Sequence, residues 1–362
     1  MRIKLLYFIL SLSILTVSCQ EKVKQEKRNS NTHQKIRNQV DTVGFAQYNW
    51  QMDSVLARIA PRDKIKTDAV YKAVICPHDD YAYAAGLYAK TLAGIKAKTV
   101  ILIGVAHRAR NFELQDKLIF GSYNAWKSPD GLINISTMRN KLISSLSKET
   151  YIVHDSMMQL EHSLEAITPF LKRNNPKVEI IPILVPYMAY DQMEQLSSEL
   201  SKGLDNLMKE GKMKYGKDLA VVISNDAVHY GDKDWGGKNM APFGVDSLGT
   251  AKTRQKDLKI ISECLVNTLS PEKIRSFNTY TVQENDYEEY NWVWCGRYSV
   301  PFGLLFANKL SVLQNKKPLR GTLVDYRSSY HNPHINVENI GMGTTAPANN
   351  HHWVGYVGVS YK

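Results

Sequence analysis

The chain has 362 residues, of which 43% are apolar and 10% aromatic, enough to bury a sizeable core in one large α/β domain or two small ones. Its formal charge of +11 is concentrated near the N-terminus, where eight basic residues stand against two acidic ones before residue 41. No Lys and Arg cluster interleaved with aromatics follows, which argues against nucleic acid as a partner, and the three scattered cysteines beyond Cys19 are no disulfide framework.

Residues 1–19 read as an export signal. Arg2 and Lys4 flank an apolar run too short to span a bilayer comfortably. Thr16-Val17-Ser18-Cys19 then resembles a bacterial lipoprotein cleavage box, with a small residue before the cysteine. The expectation is an exported protein of the bacterial cell envelope, held at the membrane by a lipid on Cys19. A plain secretory signal or an uncleaved anchor is the alternative. A polar linker over 20–45 and a folded domain over 46–362 complete the expected organisation.

Within the domain, Trp50, Met52, Val55, Leu56 and Ile59 recur at helical spacing and predict a packing face that ends at Pro61. A β-type run over 69–76 ends in Pro77-His78, a helix-like run covers 83–95, and a second apolar run over 99–104 ends in Val105-Ala106-His107. Such a β-α-β unit makes its strands parallel. Each strand delivers a histidine past its C-terminal end, the edge where open α/β sheets bind ligands. The pair is expected on neighbouring strands.

Residues 117–126 suggest one strand, Ser128-Pro129-Asp130-Gly131 a turn, and 138–147 a helix. Glu161, His162 and Glu165 fall where a helix is expected to begin. They are either a charged first turn that complements the dipole, or a motif whose His162 supports the site or contacts substrate. Residues 177–187 and 219–224 are apolar throughout and suit buried parallel strands, with a long helix over 191–210 between them. The second of these strands ends in Asn225-Asp226-Ala227-Val228-His229, so a tight turn there would aim Asp226 and His229 at one point.

Residues 231–249 suggest a long loop with a lid or binding role. Residues 252–269 read as a helix carrying Cys264 on its apolar side. Cys295 stands ahead of a helix over 302–310 with Pro301 in its first turn, where the dipole favours a thiolate. Runs at 319–326 and 353–361 complete the strands, the last alternating like an edge. Cys76 shares a strand face with His78 and either reaches the site or is a buried strand thiol.

Collected, His78, His107, Asp226, His229 and Cys295 are imidazoles, a carboxylate and a thiol that suit a first-row transition metal such as iron, copper or zinc. The chain also resembles the Memo family, AmmeMemoRadiSam system protein B. The matching motifs are Pro77-His78-x-x-Tyr81, Gly104-x-x-His107, Trp126-x-Ser128-Pro129-x-Gly131, Glu161-His162-Ser163-Leu164-Glu165, Ser224-x-Asp226-x-x-His229-Tyr230 and Cys295-Gly296, in family order over residues 70–361. The resemblance implies a single α/β domain with a mostly parallel central sheet flanked by helices, similar to the fold of class III extradiol dioxygenases, which use non-haem iron. It implies a metal site at His78, His107 and Cys295 with Asp226 and His229 nearby, and redox chemistry with iron or copper. The chain departs from the pattern at Asp79-Asp80, which adds negative charge beside the site, and at Val105-Ala106.

Three functions compete at this point. The first is a metal-dependent oxidoreductase acting on a small-molecule or redox substrate, with Asp226 and His229 as catalytic groups. The second is a metal- or ligand-binding lipoprotein without turnover. The third is a hydrolase with Cys295 as nucleophile, His229 as base and Asp226 as orienter.

Overall fold

The apolar runs sort their side chains by parity, and that sorting builds the fold. In a computed structural model, which describes residues 34–61, 65 and 67–362, Ile101 and Ile103 enter one core while Val100 and Leu102 enter the other. The same alternation divides Val221 and Ile223 from Ala220 and Val222. Successive side chains on a strand point to opposite faces, so a sheet apolar on both faces needs helices on both. Each buried aliphatic side chain contributes about 1.5–3 kcal/mol. A slip of one residue would exchange the two sets between cores, and this holds the register.

In chain order, strand β1 (Ile36–Arg37) precedes helix α1 (Asn49–Ile59), β2 (Ala73–Cys76), α2 (Tyr81–Leu92) and β3 (Thr99–Val105). Then come β4 (Leu118–Phe120), β5 (Ala125–Ser128), β6 (Gly131–Ile135), α3 (Met138–Ser144), β7 (Tyr151–Val153), α4 (Asp155–Leu160) and α5 (Thr168–Asn174). The strands β8 (Glu179–Val185), β9 (Leu219–Ser224) and β10 (Asp226–Gly231) follow, with α6 (Tyr190–Glu210) after β8. The C-terminal part holds α7 (Ser247–Ile260), β11 (Asn267–Thr268), α8 (Pro271–Thr281), α9 (Ser299–Asn315), β12 (Arg320–Ser328) and β13 (His352–Tyr361).

The sheet runs β1-β5-β6-β8-β3-β9-β2-β13-β12-β11. Its centre, β6-β8-β3-β9-β2, is parallel, and β13, β12 and β11 extend it antiparallel. This is the expected α/β domain with a mostly parallel sheet flanked by helices. Helix α6 shows why the layers form: Met193, Leu196, Leu200, Leu204 and Met208 are buried at spacings of three and four, one stripe of an amphipathic helix. Helix α7 starts at Asp246, whose side chain accepts from the Gly249 N–H at 2.7 Å. Among the described residues no helix is long and apolar enough to cross a membrane.

Several expectations are corrected by this pairing. The strands β2 and β3 are not neighbours, because β9 pairs with both and lies between them. Residues 117–126 form two strands, β4 and β5, with Gly121 and Ser122 breaking the run. Trp50 is half exposed while Met52, Val55 and Ile59 are buried. Glu161 and His162 lie outside any helix, since α5 begins only at Thr168. Asp226 and His229 sit on β10, an antiparallel partner of β13 with a bulge between them, rather than on a tight turn. The strand β13 is interior, buried at every residue and paired with β2, β10 and β12.

The expected linker over 20–45 also changes. From residue 34 the chain is part of the folded unit Gln34–Lys362. Ile36 and Arg37 pair with Ala125 and Trp126, and the Arg37 guanidinium is buried against Glu165 at 2.7 Å. The cleavage box and Cys19 lie outside the described residues.

Candidate metal centre

Three adjacent parallel strands converge on one place. His78 follows β2, Asp226 follows β9 and His107 follows β3, all at the C-terminal edge of the sheet. Cys295 arrives from a distant segment that β10 captures: the His229 N–H donates to Val293 O at 2.8 Å, and the Cys295 N–H to Asp226 O at 3.1 Å. Gly296 must be glycine for this approach. Its N–H donates to Asn225 Oδ1 at 3.0 Å, and a Cβ there would lie 2.3 Å from the same oxygen.

Cys295 Sγ lies 2.7 Å from His107 Nε2 and 3.4 Å from His78 Nε2. The three ligand atoms all fall within 4.8 Å of one another. Metal bonds to imidazole and thiolate run to about 2.0–2.3 Å, so one ion can reach all three. The hydrogen bonds behind the rings set their tautomers. Ser224 donates its hydroxyl proton to Ser163 O at 2.6 Å, so toward His78 Nδ1, 2.7 Å away, its oxygen accepts. His78 therefore carries its proton on Nδ1 and leaves the Nε2 lone pair facing Cys295. His107 donates from Nδ1 to Glu161 Oε1 at 2.8 Å, with the same consequence.

Electrostatics agree with this arrangement. Burial, helped by the neighbouring imidazoles, keeps His78 well below its ordinary pKa and hence neutral. Burial alone would raise Glu161, but His107 outweighs it and draws the carboxyl down to about 2. For His107 burial again opposes the charged form, and Cys295 with Glu161 raises it well above the usual histidine value. A bound cation would take the place of that proton. Asp226 accepts from the His78 N–H at 2.9 Å, and its other oxygen lies 3.3 Å from His78 Nε2. Burial and Asp79 push its carboxyl well above the carboxylate range.

His162 stacks on His107 with ring centroids 4.8 Å apart. Burial and His107 pull its pKa to about 4. His107, Glu161 and His162 form a second close group, but the Glu161 oxygens already accept from His107 Nδ1 and from the N–H groups of His107 and Ser163. Glu161 thus fixes the His107 ring and backbone. His229 lines a cavity of about 390 Å³ together with His78, His107 and His162. Burial and the nearby His107 lower it to about 3, and its Nε2 has no hydrogen-bond partner among the described residues.

Cys76 belongs to neither close group and is buried in the core beneath α1 and α2, where burial and Asp226 push its thiol well up. Nor is the hydrolase order assembled, for Cys295 faces His107 and His78 rather than His229, and Asp226 bonds His78. Sequence reasoning named Ser224 within a motif but gave it no role, and it did not name Trp235 or His352. Ser224 was legible as the last polar residue of a buried strand. His352 reaches the cavity only through the pairing of β13 with β10.

A family model described as Memo-like protein matches residues 45–345. Among curated proteins, a MEMO1 family protein of Caldivirga maquilingensis is 25% identical over 224 residues, 60% of this chain and 68% of that protein. One from Pyrobaculum aerophilum is 27% identical over 166 residues, 44% of this chain and 54% of its own length. One from Pyrococcus furiosus is 25% identical over 168 residues, 44% of this chain and 53% of its length. The chain spans about half the length of these last two relatives.

Proposed function

The chain belongs to the Memo-like protein family, and from that premise we propose that it is a metal-dependent oxidoreductase holding iron or copper through His78, His107 and Cys295. The observation that carries the reading is the paired orientation of two imidazoles. Each is held at Nδ1, one by Ser224 and one by Glu161, so that both Nε2 atoms face one thiol. Two borderline nitrogen donors and one soft anionic sulfur suit iron or copper, and they also accept zinc. Iron or copper bound there would supply redox chemistry, whereas zinc would supply only Lewis acidity.

The chain's own residues do the rest. Glu161 and Ser224 keep the ligand rings turned inward, and Asp226 holds His78 through its backbone N–H. His229, neutral at pH 7, presents Nε2 to a substrate, where it takes up a proton transiently and releases it readily. The substrate is a small molecule, because the cavity beside the ligands measures about 390 Å³. Export and lipidation at Cys19 complete the proposal and place the domain at a membrane surface.

The test is the metal content of the purified protein produced with added iron or with added copper, beside His78→Ala and Cys295→Ala. Near-stoichiometric metal lost in both variants, with oxygen uptake by the loaded protein, is the expected result. Full metal without turnover of oxygen or any oxidant would favour a binding protein. A metal-free wild type after both supplements would end the metal reading.

A further inference from the structure

The ligand set borders a second, smaller cavity of about 120 Å³, formed by the ends of β3 and β8 and by the segment from Cys295 to Tyr298. His107 lines both cavities, whereas Cys295 lines the small one and not the larger. No carboxylate lines the small cavity. Its polar side chains, besides the two ligands, are Arg110, Arg297, Tyr187 and Tyr298. Arg110 is already satisfied, because it pairs with Glu288 at 2.7 Å and lies over the Tyr187 ring. Arg297 is not. It is half-buried, its guanidinium lies 4.8 Å from the ring centroids of Tyr290 and of Tyr298, and among the described residues it makes no ion pair. Its Nε is buried and has no hydrogen-bond partner among those residues.

A guanidinium keeps its charge at any pH the fold survives, and a buried charged N–H without an acceptor is costly. The two rings offset part of the charge but offer Nε no lone pair. An anion supplies both the opposite charge and the acceptor, through the charge-assisted hydrogen bonds that arginine makes well. Size narrows the choice. One water occupies about 30 Å³ of liquid, so the cavity holds about four groups of that size. We propose that this cavity binds a small inorganic anion of three or four non-hydrogen atoms, of the size of azide, nitrite or bicarbonate, held by Arg297 and lying against Cys295 and His107. The site is made by the chain alone and needs no metal. If the metal reading above holds, and only for this consequence, the organic substrate and the anion reach the ligand set through different cavities.

The experiment alkylates chelator-treated full-length protein at low ionic strength with iodoacetate and, in parallel, with iodoacetamide, two reagents of one shape that differ by a charge. The rate at Cys295 is read by mass spectrometry of its own peptide, and folding of each variant by near-ultraviolet circular dichroism. The ratio of the two rates cancels the thiolate fraction and reports the field in the cavity. It is expected to fall about fivefold in Arg297→Gln, since one charge acting across a few ångströms is worth that much even at the dielectric constant of water. Arg297→Lys is expected to keep most of the ratio, and Arg108→Gln, whose side chain lines the larger cavity, to leave it unchanged. Azide is expected to slow iodoacetamide at Cys295 down to a plateau in the wild type and to lose that effect in Arg297→Gln, with gluconate, too large for the cavity, holding the ionic strength. An unchanged ratio in folded Arg297→Gln, no azide plateau in the wild type, or a Cys295 that neither reagent reaches would overturn the proposal. Metal content is measured separately. A protein that takes metal and fails these tests loses the anion site alone, and one that passes them without taking metal loses the oxidoreductase alone.

Discussion

Glu161 holds His107 at two points, with one carboxylate oxygen 2.8 Å from Nδ1 and the other accepting the backbone N–H at 2.7 Å. A carboxylate in this position fixes the ring and makes Nε2 a better donor to a metal. Glu161→Gln is expected to weaken metal binding roughly 10–100-fold while the protein stays folded. Competition with a chromogenic chelator measures it. Unchanged affinity would show that His107 needs no such support.

The buried pair Arg37–Glu165 closes the N-terminal segment onto the domain, with side chains 1% and 3% exposed. Glu165 also accepts the N–H groups of Val40 and Asp41, two residues of the cavity wall. Arg37→Met leaves a buried carboxylate without its cation and is expected to cost about 3–5 kcal/mol. The double variant Arg37→Met/Glu165→Leu is expected to recover much of that. Urea denaturation separates the two outcomes, and a single-variant loss under about 1 kcal/mol would mean that the segment is held by other contacts.

Asp257 on α7 is a buried hub. It accepts from the indole N–H of Trp292 and of Trp294, each at 2.7 Å, and from Tyr326 OH at 2.7 Å. Trp294 immediately precedes Cys295. Asp257→Ala would leave three buried donors unpartnered, at about 1–3 kcal/mol for each group left so. Marked destabilisation, a changed tryptophan emission and weaker metal binding are expected together. Loss of stability with metal affinity intact would confine Asp257 to the core.

One part of the pH dependence of the metal-free protein comes from His229, whose pKa burial lowers from the ordinary 6.5 to about 3, beside the similarly lowered His78 and His162. Above pH 6.5 the folded and unfolded states are both neutral there, and its neutral form contributes its full stability. As the pH falls below 6.5 the unfolded chain binds the proton first, so stability declines toward the folded value. The difference reaches about 1–2 kcal/mol near pH 5. His229→Asn is expected to flatten that part of the decline in thermal melts between pH 7 and pH 5. Parallel melting curves for the two proteins would refute the assignment.

Lipidation is tested directly. Labelled palmitate is expected to enter the protein in a bacterial host that processes lipoproteins, and Cys19→Ser is expected to abolish both the label and the membrane fraction. Equal labelling of the variant would remove the lipid anchor from the proposal.

Much of the fold is legible in local pattern. The runs that became β3, β8 and β9 are apolar at both parities, which already requires helices on two faces and a parallel arrangement. The rule that ligands bind at the C-terminal edge of such strands singled out His78, His107 and Asp226 without any contact being known. Periodicity and strand ends are properties of neighbours in the chain, and a sequence displays those directly.

Tertiary structure decided what depends on pairing. The insertion of β9 between β2 and β3 brings Ser224 against His78 across 146 residues, and nothing in either segment's own pattern encodes the partner. The β10–β13 ladder turned a supposed edge strand into an interior one and carried His352 to the cavity wall. Burial of the Arg37 guanidinium against Glu165, 128 residues away, took a segment that composition reads as linker and built it into the domain. In each case a hydrogen bond or ion pair formed over a long loop outweighed the local preference, because a buried polar group is stable only where its partner is.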